Sequence, residues 1–129
     1  MVNKRFEDLD VWKKSAQLCA NIFLFFNTKN YYDLKNQITR SALSISSNIA
    51  EGFERGSDRE FIRFLVYAKG SCGELRSQTY IGIKINYIDS DTGKQWIREA
   101  IQISSMITGL IKTRRYFLER DRKKRKFVK

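Results

Sequence analysis

The chain has 129 residues, 42% of them hydrophobic, and 25 Lys plus Arg against 14 Asp plus Glu give it a net charge of +11. That length fits one domain with a real core. With no proline and no histidine, turn-rich folds are disfavoured, and Ser–His or Cys–His nucleophile pairs and the commonest general base near neutral pH are excluded.

The first helix is expected from Asp8 to Asn27. Leu9, Trp12, Ala16, Cys19, Phe23 and Phe26 step by 3 and 4 in a heptad seam. Val11, Ser15, Leu18, Ile22 and Phe25 form a second stripe beside it, so the buried face is broad and suggests a subunit contact. "NTKNYY" breaks the pattern, and a second helix follows from Asp33 to Arg55 with Leu34, Ile38, Ala42, Ile45 and Ile49 on its core side. Gly56 suits the left-handed position after a helix end. "SDRE", with Ser57 and Glu60, reads as a capping box opening a third helix, Asp58 to Asn86. Phe61, Leu65, Ala68, Cys72, Leu75, Thr79 and Gly82 are its seam. "YIDSDTG" then ends it, with Ser90 or Asp89 as the next cap. A fourth helix starts near Asp91 on the seam Trp96, Ala100, Ile103, Ile107, Leu110, Arg114 and Phe117 and is expected to fray beyond Arg122.

Four helices with short connections predict an all-α, antiparallel up-down-up-down bundle over residues 1–122, with a basic tail at 123–129. The longest apolar run, Ile22 to Phe26, is far too short to cross a bilayer. "MVNKRFEDLD" carries no hydrophobic signal block. The expectation is a cytoplasmic protein that does not enter membranes. Cys19 and Cys72 lie within helical patterns and read as small buried hydrophobes. Two thiols without histidine do not make a zinc site, so no metal and no cofactor is expected.

Two stripes break the apolar rule. Arg40, Ser44, Asn48 and Glu51 share a face of the second helix, and Tyr67, Ser71, Glu74 and Gln78 share one of the third. Facing each other, they read as a polar packing layer that fixes helix register, with Arg40 paired to Glu51 or Glu74. The catalytic reading, with Glu51 and Glu74 as paired carboxylates, lacks an evident cleft. A four-helix di-metal site would ordinarily use Glu-x-x-His, and there is no histidine. The turn-like "KGSCGE" sits inside a continuing helical pattern. No phosphate loop or nucleophile elbow motif is present.

Charge is the positive signal. From Lys112 to Lys129 there are ten basic and two acidic residues, while the other 111 residues carry fifteen basic and twelve acidic. Such a block displaces the counterions of polyanions. Candidate contacts are Arg114, Arg115, Arg120, Arg122, Lys123, Lys124, Arg125 and Lys126, with Lys13 and Lys14 behind them.

"FEDLDVWKKS", "QITRSALSISSNIAEGFERGSDREFIRFLVYAKGSCGEL" and "INYI" closely resemble the bacterial four-helix bundle family encoded in intervening sequences of 23S rRNA genes. The family pattern falls on Phe6, Leu9, Val11 and Trp12; on Arg40, Ser41, Ser44, Ile45 and Asn48 through Gly52; and on Phe61, Phe64, Leu65, Ala68, Gly70, Ser71, Glu74 and Leu75. Ser46 and Ser47 stand where many relatives carry a proline, which suggests a straighter second helix. The resemblance implies a homopentamer with a central channel and no established catalytic activity. More distantly, the chain is similar to the accessory variability determinant of diversity-generating retroelements, a basic pentamer that binds reverse transcriptase and RNA. The resulting expectation is a non-enzymatic oligomer that binds nucleic acid, structured RNA before DNA. The alternative is a scaffold for a protein partner such as a reverse transcriptase, with Tyr31, Tyr32, Tyr67, Tyr80 and Tyr116 as interface aromatics.

Overall fold

A computed structural model describes residues 5–127. Residues 1–4 and 128–129, which include the ends of the expected bundle and of the expected tail, lie outside the described residues. A short 3-10 turn, Phe6–Asp8, precedes four α-helices: α1 (Asp10–Phe26), α2 (Tyr32–Glu54), α3 (Asp58–Lys84) and α4 (Ser90–Phe127). No strand occurs among the described residues. α2 is continuous through Ser46 and Ser47.

Contacts between helix ends fix the packing directions. Phe25 and Phe26 at the end of α1 meet Trp96 near the start of α4, at ring centroids 5.1 and 6.1 Å. Gly52 near the end of α2 lies against Phe61 and Phe64 near the start of α3. Arg114 of α4 pairs with Asp58, the first residue of α3, at 3.1 Å. Each of these pairs is therefore antiparallel. α1 and α3 both pack on α2 and on α4, which encloses one core.

The expected seams of α2 and α3 are the buried ones. Ile38, Ala42, Ile45 and Ile49 are buried and Leu34 is half-buried, and every seam position of α3 from Phe61 to Gly82 is buried. α1 is turned relative to expectation. Its buried side is Val11, Ser15, Leu18, Cys19, Ile22 and Phe26, whereas Phe23 of the expected seam is 42% exposed. Both stripes are apolar, and two neighbouring helices cannot cover both. Leu18, Ile22 and Phe26 take the centre, and half-buried Trp12 packs edge-on against Phe6 at 5.2 Å.

Helix ends follow local chemistry. The Glu60 N–H donates to Ser57 Oγ at 3.2 Å, but only half of the expected capping box forms. The Glu60 carboxylate accepts instead from Arg55 and Arg63, at 3.4 and 3.1 Å. Ser57→Ala should cost about 1 kcal/mol, read from urea unfolding. Gly56 has φ +79°, as the left-handed position after α2 requires. At the end of α3 Asn86 does the same at φ 62°. Its N–H reaches the Ile83 carbonyl, and the Tyr87 N–H reaches Gly82, the two bonds of a Schellman motif. Asp89 caps α4: the Thr92 N–H donates to Asp89 Oδ2 at 3.0 Å, and Thr92 holds that carboxyl below its ordinary range.

α4 does not fray at Arg122. It runs 38 residues, to Phe127. Apart from Asp121, residues 118–126 are good helix formers, Glu119 and Arg122 approach within 3.7 Å one turn apart, and Lys124, Arg125 and Lys126 sit where the helix dipole favours cations.

Candidate nucleic-acid interface

Because Arg114 meets the first residue of α3, the later turns of α4 run on past the start of its neighbour, with Arg59 still beside them. About a dozen residues at about 1.5 Å each make an overhang of roughly 18 Å. It carries Arg115, Arg120, Arg122, Lys123, Lys124, Arg125 and Lys126 against Glu119 and Asp121. These cations surround the helix, so no single face of the overhang is neutral. Its two ion pairs, Arg120–Asp121 at 3.8 Å and Arg122–Glu119 at 3.7 Å, are exposed and hold their partners weakly.

The candidates are not equivalent. Arg114 is engaged within the chain: its guanidinium donates to Asp58 and lies 5.1 Å over the Phe61 ring, with the side chain 30% exposed. It joins α4 to α3 and is poorly placed to reach a ligand. Arg120 rests on the Phe117 ring at 5.1 Å. Arg115, Arg122 and Arg125 line a groove of about 370 Å³ with Arg59 of α3, and Glu119 and Asp121 share its wall. Lys13 is exposed and Lys14 half-buried in the early turns of α1, at the end of the bundle from which α4 projects. Arg59 was missed in the sequence. Its signal is the antiparallel topology itself, which brings the start of α3 beside the end of α4.

The polar layer is smaller than the two sequence stripes. Asn48 Nδ2 donates to the Ser44 carbonyl (2.8 Å) and to Ser44 Oγ (2.9 Å). Ser44 and Ser71 share a bond of 2.9 Å across the helices, and Ser71 Oγ donates to the Tyr67 carbonyl at 3.2 Å. Either hydroxyl can donate in the Ser44–Ser71 bond. Arg40, Glu51 and Glu74 lie outside this relay and are exposed. The expected pairing of Arg40 with Glu51 or Glu74 does not occur among the described residues. Glu51 instead pairs with Arg55 at 3.1 Å, one turn along its own helix. Long charged side chains at the edge of the stripe reach water more cheaply than they reach each other. Gln78 is half-buried, and its Oε1 has no hydrogen-bond partner.

The thiols are buried. Burial raises the Cys19 pKa and pushes that of Cys72 up to about 12, so both stay protonated at neutral pH. No group of three or more Cys, Asp or Glu capable of holding a metal ion occurs among the described residues, and no described helix is long and apolar enough to cross a membrane.

Fold and surface define the class: an all-α protein of four helices whose last helix carries a basic extension beyond the core. The sequence profile of the 23S rRNA-intervening sequence protein family matches residues 7–109, and the chain belongs to that family. A crystal structure of a protein with unknown function from the S23 ribosomal protein family of Bacteroides thetaiotaomicron VPI-5482 is similar to it. The TM-score is 0.74 at 25% identity, over 79% of this chain and 98% of that one. No curated protein matches the chain. The family match ends at Gly109, so the basic overhang lies wholly beyond it.

Proposed function

We propose that the chain is a non-enzymatic, oligomeric nucleic-acid-binding protein that takes structured RNA in preference to duplex DNA. The carrying observation is the end of α4, a continuous helix to Phe127 that carries seven exposed cations between Arg115 and Lys126. A helix keeps its charges at fixed spacing, so less ordering is needed when phosphates are met. The family's description as an rRNA-intervening-sequence protein supports RNA as the polyanion. Protonated, buried thiols and well-hydrated carboxylates at Glu51 and Glu74 support a binding role over a catalytic one.

Assembly as a homopentamer is part of this proposal. The outer face of α3 supports self-association: Val66, Tyr80, Ile81 and Ile85 are 47–52% exposed, and Gly70 and Gly73 beside them have open space where a Cβ would stand. Five copies of +11 would bring about +55 to one particle, and weak phosphate contacts would add through effective concentration.

The same exposed row favours a second reading, a scaffold for a protein partner such as a nucleic-acid polymerase. Tyr32, Tyr67, Tyr80 and Tyr116 are exposed and suit such an interface. Tyr31 is committed elsewhere, stacked on Tyr87 at 3.8 Å.

The test is binding of the purified protein to structured RNA, duplex DNA and heparin across a salt series, with mass read by light scattering. We expect an oligomer that binds RNA most tightly, with affinity falling steeply as salt rises. Equal, weak binding to all three polyanions would overturn the nucleic-acid reading in favour of the protein partner.

A further inference from the structure

Midway along the bundle, between α3 and α4, a groove of about 300 Å³ is lined by Lys69, Arg76, Ile101, Ser104, Ser105 and Thr108. Its chemistry is one-sided. Two cations and three hydroxyls face it, and no carboxylate does. Arg76 is half-buried, makes no ion pair among the described residues, and its Nε is buried without an acceptor. A guanidinium drawn partly from water without a counter-charge is costly to keep. Buried unsatisfied donors are uncommon enough to need a reason. Thr108 Oγ1 donates to the Ser104 carbonyl at 3.0 Å, whereas the Ser104 and Ser105 hydroxyls make no side-chain hydrogen bond among those of the described residues.

We propose that this groove binds a phosphoryl group, with Arg76 and Lys69 supplying the charge and the Ser104 and Ser105 hydroxyls supplying donors. The planar fork of Arg76 matches two phosphoryl oxygens, and Lys69 adds a point charge. The phosphodiester backbone of a polynucleotide is the ligand, for a geometric reason. Ser105, Thr108, Lys112, Arg115, Glu119, Arg122 and Lys126 step by 3 and 4 along one face of α4. That face leads from the groove to the overhang, and Ser105 and Arg122 are roughly 25 Å apart along the axis. A single strand of backbone lying along α4 reaches both. The source of the phosphoryl group rests on the nucleic-acid reading above; the groove's preference for phosphoryl chemistry does not.

The experiment follows the Arg76 Nε–Hε NMR resonance in the full-length protein, during separate titrations with a short RNA duplex and with inorganic phosphate. Duplex affinity of R76Q, R76K and K69Q is measured across a salt series alongside. We expect the Arg76 resonance to move with both probes. R76Q and K69Q should bind the duplex about tenfold more weakly, with salt slopes lower by about one each, and R76K should recover part of the loss. Melting temperature and mass should stay unchanged. A native chain that binds duplex while the Arg76 resonance stands still and R76Q binds equally well overturns the groove and leaves the nucleic-acid reading intact. A resonance that moves with phosphate in a chain that binds no RNA overturns the polynucleotide source and keeps the phosphoryl site, assigned then to a small phosphate ester. Silence to both probes overturns the site. A fall in mass for R76Q with silent titrations also overturns it, because the groove then seats another subunit.

Discussion

Replacing Arg122, Lys123, Lys124, Arg125 and Lys126 together by glutamine should weaken binding to structured RNA by about two orders of magnitude near physiological salt. The slope of log affinity against log salt should fall by about four to five, the loss expected for five duplex phosphate contacts. Fluorescence anisotropy at several salt concentrations reads both quantities. All five side chains are exposed, so helicity and melting temperature should hold. A companion substitution separates charge from geometry. Glu119→Pro removes a negative charge, which by itself favours RNA, but breaks the α4 ladder at the root of the overhang. If the rod positions its cations, affinity should drop about tenfold despite the gain in positive charge. A chain ending at Glu119 with unchanged affinity and slope would sink the assignment of the overhang.

The second large effect is steric. A Cβ at Gly52 would stand 2.6 Å from the Phe64 Cβ and 3.2 Å from Phe61 Cδ1. Neither contact is with the loose end of a flexible side chain, so α2 and α3 must separate to admit it. Gly52→Val should cost about 3 kcal/mol and lower the melting temperature by roughly 10 °C. Gly109 is the control, since nothing lies within 4 Å of a Cβ there. Gly109→Ala should gain up to about 1 kcal/mol from helix propensity. Calorimetric melts that agree for Gly52→Val and the native chain would rule out this close approach.

The helices were legible because their signals are local. Seams at 3.5-residue spacing, the Ser57 and Asp89 caps and Gly56 all act within a turn or two of chain. The centre of the polar layer was legible too, since small hydroxyls at matching heights on consecutive helices can only face each other. Three features were not. The rotation of α1 depends on which of two apolar stripes its neighbours can cover, and periodicity weighs Phe23 and Ile22 alike. Arg40, Glu51 and Glu74 are complementary on a helical wheel, yet the competition with water that leaves them apart has no signature in spacing. The α3–α4 groove joins Lys69 to Ser104 across the bundle, and nothing near either residue in the chain announces the other. The end of α4 differs from expectation for a simpler reason: a run of Lys and Arg reads as a solvated tail, although each of those residues favours a helix and the dipole favours cations at its end.

The Arg114–Asp58 contact marks the place where α4 leaves its neighbours, and this has a kinetic consequence. The opposite pole is closed by the Tyr31–Tyr87 stack between two connections and, among the described residues, mixes Lys29, Lys84 and Lys94 with Asp33, Asp89 and Asp91. The protein is therefore electrically lopsided, with much of its excess charge displaced to one end. In the field of a polyanion it experiences a torque before contact, and it arrives overhang first. Encounter should be fast in dilute salt and slow steeply as ions are added, with dissociation changing far less. The length of α4 thus sets how early in an approach the molecule becomes oriented.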